Sequence, residues 1–358
     1  MNTSLPAQAC ATLEVRSPGA YASIQDSGRF GLRRFGVPWS GTLDPALMRI
    51  ANRLAGNDED AAVIEAFDGG QQLAAEGAPL RIAVAGNAEL EIVADGERRP
   101  AAPWRSHLLK PGETLKILRT RGGRLAMVAI AGLDLPTALG SRATYARAAL
   151  GGTQGRALAP GDRLAAGAAS AGPERVLASP PEWPADARTP IRVVLGPQAD
   201  YFDRDATARF LGQVYTVGTA ADRMGIRLDG AEALTHRSDM GNEIVSDATV
   251  PGSIQVPGTG QPIVLLADAQ TAGGYPKIAT VIGIDRPRLA ARRPGESVRF
   301  AAVGVAEAEA LARAHAAEVA RLCGGIRLIA GEGVDLQALY GSNLVGGVVN
   351  ALQPDHIP

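Results

Sequence analysis

A mainly β chain with barrel-like domains is predicted by three features: its length, its glycine and proline content, and a turn that recurs. The 358 residues exceed one ordinary domain, so two are the natural expectation. The 43 glycines and 24 prolines suit many tight turns rather than long helices. With only 4% aromatic residues, the core must be built mostly from Val, Ile, Leu and Ala. The turn reads Leu109-Lys110-Pro111-Gly112-Glu113-Thr114-Leu115, then Leu158-Ala159-Pro160-Gly161-Asp162-Arg163-Leu164, then Arg292-Arg293-Pro294-Gly295-Glu296-Ser297-Val298. Proline fixes φ and glycine accepts φ > 0, which suits the two central positions of a type II turn leading into a strand.

Short apolar runs bounded by Gly and Pro predict strands at Leu80–Val84, Leu90–Val93, Thr114–Leu118, Leu125–Ile130, Ile191–Leu195, Ile263–Leu266, Ile278–Ile284 and Val298–Val303. Asp44 is placed to cap a helix over Pro45–Ala55, with Pro45 at its first position and Gly56 ending it. A second helix is expected over Glu307–Cys323, with Leu311, His315, Val319 and Leu322 on one face. Residues 165–190 are rich in Ala, Pro and Ser and read as a linker. The expected organisation is a β domain over 12–170, a linker over 171–190, a β-barrel domain over 191–303, and a helix with a tail over 304–358.

Composition excludes several classes. The net charge of −1 offers no basic face for nucleic acid. Cys10 and Cys323 are far apart and lack metal spacing, which favours a reducing compartment over a disulfide framework. Met1–Ala11 lacks the basic and apolar regions of a signal peptide, and no apolar run is long enough to span a membrane. A cytoplasmic location is expected. There is no Walker A loop, HExxH, CxxC or GxSxG, and no Met-Lys-Met of a biotin carrier. The four histidines are scattered, and no metal site is predicted. Arginine supplies nearly all the positive charge. Lys110, Lys116 and Lys277 are the only lysines, so each is notable as a compact charge whose pKa shifts on burial.

Three segments are too polar and glycine-rich to be explained by core packing. The first runs from Pro18 to Asp44, with Gln25, Asp26 and Arg29 as candidate substrate ligands, or else as a local hydrogen-bond network. The second follows the apolar run Ile263–Leu266 and reads Asp268-Ala269-Gln270-Thr271-Ala272-Gly273-Gly274-Tyr275-Pro276-Lys277. A buried strand ending in such groups can fix a site, and Gly273-Gly274 lets a ligand approach the backbone. Here Asp268 is the candidate base or orienting acceptor, Gln270 an amide or carboxylate holder, and Lys277 an anion or oxyanion donor, with Tyr275 beside them. The alternative is a hairpin with Asp268 and Lys277 as a plain ion pair. In the third, Asp222–Leu228, Arg223 is suited to bidentate carboxylate recognition, or sits on a solvated turn.

Taken together, these motifs resemble the KipA-like family, also called allophanate hydrolase subunit 2 or the C subunit of 5-oxoprolinase. The resemblance rests on Pro18-Gly19 with Gln25-Asp26-Ser27-Gly28-Arg29-Phe30-Gly31, on Gly36-Val37-Pro38-Trp39-Ser40-Gly41-Thr42-Leu43-Asp44, and on Ala51–Asn57 followed by Glu65. It continues through Asp222–Leu228, Ile254–Pro257 and Asp268–Lys277, and covers about residues 13–303. It implies two cyclophilin-like β-barrel domains and a KipI-like partner, the B subunit of 5-oxoprolinase. The activity implied first is ATP-dependent opening of 5-oxoproline to glutamate, jointly with that partner and a LamB/YcsF-like protein, the A subunit of 5-oxoprolinase. The alternatives it implies are carboxyl transfer from biotin carried on a partner to urea or a related amide, and a non-catalytic regulatory role on a KipI-like protein. The allophanate hydrolase name implies amidase chemistry, which wants an activated Ser with a Lys, and no such segment is present.

Overall fold

The computed structural model describes residues 10–169, 172–181 and 188–329. The chain is mainly β, with barrel-like sheets, as the turn and strand pattern predicts. In the N-terminal half, a six-stranded sheet runs in the order 163–167, 10–18, 71–76, 114–120, 88–94, 97–101. It faces a seven-stranded sheet in the order 21–25, 63–67, 125–130, 80–85, 105–109, 174–177, 326–329. Leu13, Val15, Ile24, Leu73, Ile82, Leu115, Ile117 and Val128 fill the space between them. The strands Leu80–Ala85 and Leu125–Ile130 are buried at every residue, because helix α1 (Pro45–Ala55) covers their other face. That is why they read as unbroken apolar runs rather than as an alternation.

The C-terminal half is built on an eight-stranded sheet, ordered 297–298, 215–221, 225–230, 263–265, 253–255, 277–281, 191–195, 300–302, beside a two-stranded sheet of 247–248 and 272–273. The two edge strands of the larger sheet are separated in sequence by Arg299 alone, which draws the ends of the sheet together into a nearly closed barrel. Phe210 of helix α2 (Arg204–Gly212) stacks on Phe300 at 4.8 Å inside it. Leu43, Phe67 and Leu125 reach across from the N-terminal half into this same core, so the two halves share a continuous apolar seam.

All three Pro-Gly turns close as expected. Gly112, Gly161 and Gly295 sit at φ of 90°, 88° and 87°. Each turn is bridged by a main-chain bond, Glu113 to Lys110, Asp162 to Ala159 and Glu296 to Arg293, of 3.0 to 3.1 Å. Helix α3 spans Arg286–Ala290, and α4 spans Val305–Gly324, slightly longer than expected, resting Val319 and Leu322 on the core beneath α1.

Other expectations need correction. The run Ile278–Ile284 is a strand only to Val281 and then a 3-10 turn over Gly283–Asp285, because the buried Asp285 carboxylate accepts from Arg192 N at 2.7 Å and from its guanidinium. The run Val298–Val303 breaks at Arg299 and serves both edges of the barrel. Within the expected linker, Glu174–Leu177 is a strand. It extends the sheet beside Arg105–Leu109 and is paired in turn by Ile326–Ile329 of the expected tail. Sheet edges recruit such segments through main-chain groups, which carry little sequence signature. The remainder of the expected tail, 330–358, lies outside the described residues.

Asp44 caps α1 as expected, accepting from Ala46 N and Leu47 N at 3.0 Å each. Burial pushes its carboxyl up to about 6, against the pull of those two N–H groups. A raised carboxyl pKa means that the ionised form loses stability as pH rises from about 4 through 6. Asp44→Asn keeps the cap and removes that charge, so urea unfolding should give a variant at least as stable as the parent at pH 7. Asp44→Ala loses the cap and should cost about 1 kcal/mol.

Candidate active site at the seam between the two halves

A buried chain of charges crosses the seam. Arg223 sits at the turn between strands 215–221 and 225–230, where Asp222 Oδ1 accepts from Met224 N at 2.8 Å and Gly225 N at 3.2 Å. Its guanidinium donates to both oxygens of Asp268, Nε to Oδ2 at 3.0 Å and Nη2 to Oδ1 at 3.2 Å. Nη1 bonds Glu65 Oε1, and Nη2 also reaches Gly41 O at 2.5 Å. Glu65 is fully buried in the strand Val63–Phe67 and takes Leu43 N at 2.6 Å and Thr42 Oγ1 at 3.1 Å on its other oxygen. Burial alone would lower the Arg223 pKa, but the Glu65 and Asp268 carboxylates outweigh it and hold it above its ordinary value.

Above this chain opens a cavity of about 280 Å³, lined by Tyr21, Phe67, Arg124, Tyr145, Arg147, Arg223 and Asp268, among others. Tyr21 packs edge-on against Phe67 at 5.6 Å, and burial raises its hydroxyl pKa. Arg124 lies over Phe67 at 5.2 Å and bonds Asp68 at 2.7 Å. Arg147, on the short turn Ala146–Ala148, is exposed at the mouth.

Gln270 and Lys277 fall in a second cluster. Lys277 is buried, and its Nζ donates to Asp247 Oδ2 at 2.7 Å and Ala248 O at 3.0 Å. The hydrogen bond from Lys277 holds Asp247 below the usual carboxylate range. Gln270 Nε2 donates to Gln255 Oε1 at 3.2 Å, and the buried Gln255 Nε2 meets no partner among the described residues. A Cβ on Gly273 would press on that same Nε2 and push the Gln255 amide aside. Gly274 backs onto Ile244 O, and Tyr275 is exposed.

The first polar segment forms a third cluster. Asp26 fastens the 138–144 loop, accepting from Ser141 Oγ at 2.6 Å and Arg142 N at 2.5 Å. Arg29 is buried and donates to Ala138 O at 3.1 Å and to Ala143 O. Gln25 bonds Ser23 Oγ at 2.9 Å and Thr144 O at 3.3 Å.

Asp268 and Lys277 therefore do not pair with each other, and Arg223 is buried rather than on a solvated turn. Arg223 does recognise carboxylates in the way its fork suggests, but they belong to the protein itself. Tyr21, Tyr145 and Arg147 carry no motif signal. Glu65, named from the sequence only as part of the family resemblance, also stands out as the lone acid in the apolar strand Val63-Ile64-Glu65-Ala66-Phe67. Removing Arg223 leaves two buried carboxylates without a counter-charge. Arg223→Ala should cost about 3–5 kcal/mol in denaturant unfolding, and Arg223→Lys should recover little, since a point charge cannot bridge three acceptors.

The model of the carboxyltransferase domain, subdomain A and B, matches residues 35–302. The chain is 38% identical over 294 residues to the C subunit of 5-oxoprolinase from Haemophilus influenzae, covering 82% of this chain and 91% of that one. It is 34% identical over 311 residues to the C subunit of 5-oxoprolinase from Escherichia coli, covering 83% and 93%. The solved structure of the Kluyveromyces lactis urea amidolyase superposes with a TM-score of 0.78 at 27% identity, covering 89% of this chain but only 20% of the amidolyase. With its fold, its motif order and these relatives in agreement, the chain belongs to the carboxyltransferase domain family built from subdomains A and B.

Proposed function

We propose that the chain is the C subunit of a cytoplasmic, ATP-dependent 5-oxoprolinase, a hydrolase inactive on its own, which opens 5-oxoproline to glutamate with a KipI-like B subunit and a LamB/YcsF-like A subunit. The observation that carries this is the seam cavity. It joins a fixed carboxylate, Asp268, to arginines at its wall and mouth, in a space suited to a small molecule bearing both a lactam and a carboxylate. The relatives named as C subunits of 5-oxoprolinase support it, since the alignment spans nearly all of each.

Hydrolysis breaks the ring C–N bond, adds water across it and releases an amine and a carboxylate. In this reading Asp268, oriented by Arg223, accepts from the ring N–H. Arg147 takes the substrate carboxylate, and the hydroxyls of Tyr21 and Tyr145 border the ring. Lys277 and Gln270, with Gly273, Gly274 and Tyr275, form a separate cluster and are proposed as an anion-binding group apart from the ring held at Asp268. Gln25, Asp26 and Arg29 hold the loop that carries Tyr145 and Arg147. ATP is used by the complex. The chain has no glycine-rich loop ending in lysine, and no ATP site is assigned to it.

Carboxyl transfer to urea or a related amide is the second reading. It is favoured by the family model and by the urea amidolyase of Lachancea kluyveri, 30% identical over 334 residues and matched over 18% of its length. That reading requires biotin on a partner.

The test is to assemble the three subunits, supply 5-oxoproline and ATP, and measure glutamate. Glutamate that requires this chain supports the lactamase, whereas an assembled but silent complex turns the assignment to biotin-dependent transfer. Lys277→Ala should lower kcat at least tenfold, and Arg147→Gln should raise KM for 5-oxoproline while leaving kcat nearly unchanged. Full activity in Lys277→Ala and Asp268→Ala together would remove both from the mechanism.

A further inference from the structure

A cavity of about 140 Å³ opens where the segment from Ser27 to Pro45 lies against the barrel. It shares no lining residue with the seam cavity. The two meet at one segment, with Ala267 lining this one and Asp268 the other. Phe30, Trp39 and Ser40 wall it from the N-terminal half, and Pro251, Leu266 and Arg286 from the barrel. The bond from Ser40 N to Ala267 O, at 3.0 Å, holds the two walls together.

Among the described residues of this wall, Arg286 alone is charged. It opens helix α3, donates from Nε to Gly283 O at 3.4 Å, and forms no ion pair among the described residues. The acids around it are engaged elsewhere. Asp285, next to it in the chain, is bonded by Arg192 and Arg288, and Asp60 accepts from Ser27 Oγ at 2.9 Å outside the wall. The hydrogen bond to Asp285 raises the Arg192 pKa, whereas burial, with no carboxylate to offset it, lowers that of Arg286. A charge withdrawn from water without a partner costs stability. The Arg286 stem is held in place, since a Cβ on Gly252 would lie 3.3 Å from its Cδ. Ser40 is the second polar feature. It is 6% exposed, its hydroxyl is buried with no partner among the described residues, and its φ is 52°. A non-glycine residue in the left-handed region is strained, and such strain collects at ligand sites.

One guanidinium and one hydroxyl in an otherwise apolar wall suit a planar anion of single charge. Two N–H donors of the fork take the oxygens of a carboxylate side by side, and the hydroxyl adds a third bond. A phosphate dianion would leave one charge uncompensated among apolar groups. The volume holds about four or five groups the size of a water at ~30 Å³ each, which matches a carboxylate on a very short alkyl chain. We propose that this cavity binds a small aliphatic monocarboxylate, held by the Arg286 guanidinium and the Ser40 hydroxyl, with its alkyl end against Phe30, Trp39 and Pro251. The site is separate from the lactam site proposed above and does not depend on it.

Sodium propionate is the probe, titrated into the full chain at constant ionic strength and followed by saturation-transfer NMR and thermal unfolding. Binding should saturate, and Tm should rise as propionate is added. Arg286→Met keeps the stem and removes the charge, and should weaken binding about tenfold or more. Ser40→Gly removes the hydroxyl and accepts a φ of 52° without strain, so the fold is kept, and binding should weaken about threefold or more. Arg147→Gln, at the mouth of the seam cavity, should bind propionate as the parent does. Propylammonium, of the same size and opposite charge, should not bind. The proposal is overturned by a parent that shows no saturable binding, by parent-like binding in either Arg286→Met or Ser40→Gly, or by loss of binding in Arg147→Gln. Inorganic phosphate binding as tightly as propionate would overturn it too.

Discussion

The constraint on which the rest depends is the burial of Arg223 between Glu65 and Asp268. Desolvating a guanidinium and two carboxylates is costly, and it is offset only when nearly every donor and acceptor is matched. Here they are matched by groups from both halves: Glu65, Leu43 and Gly41 from the N-terminal half, Arg223 and Asp268 from the barrel. The apolar seam of Leu43, Phe67 and Leu125 against the barrel core is non-directional and would tolerate sliding. The ion chain is directional and fixes one register of the halves.

That fixed register creates the site. The seam cavity has walls from both halves, so neither sheet alone could form it. Its chemistry follows from which charges remain available. Arg223 is consumed by protein carboxylates, which turns it from a ligand into the group that orients Asp268. Arg147 stands exposed at the mouth. Gln270 and Lys277 are kept apart from Asp268 because the chain turns away after Asp268, runs through the short strand Ala272–Gly273, and reaches Lys277 at the start of the strand Lys277–Val281, where Asp247 takes its ammonium.

The loop 29–40 joins these clusters physically. Its inner side is hydrogen-bonded to the barrel at Ala267 and Thr249, and its outer side presents Phe30 and Phe35 to solvent. A segment anchored this thoroughly through its main chain and Arg33 can display large apolar side chains without collapsing onto its own core.

Much of the fold was legible from local chemistry. The Pro-Gly turns, the Asp44 cap with Pro45 and Gly56, and the runs Leu125–Ile130 and Ile191–Leu195 are dictated by φ preferences, side-chain capping and short-range pattern. What was illegible is what depends on distant partners. Glu174–Leu177 and Ile326–Ile329 are strands only because a sheet edge was waiting for them. The ordered motifs likewise identified Asp268, Arg223 and the Asp26 segment as unusual, since polar residues among glycines serve no core. The sequence alone thus determined the β character, the turns and the family. The tertiary structure alone decided that Arg223 binds Glu65 and Asp268, and that Lys277 binds Asp247. Pairing across 45 or 158 residues is set by how two sheets pack, and no local preference encodes that.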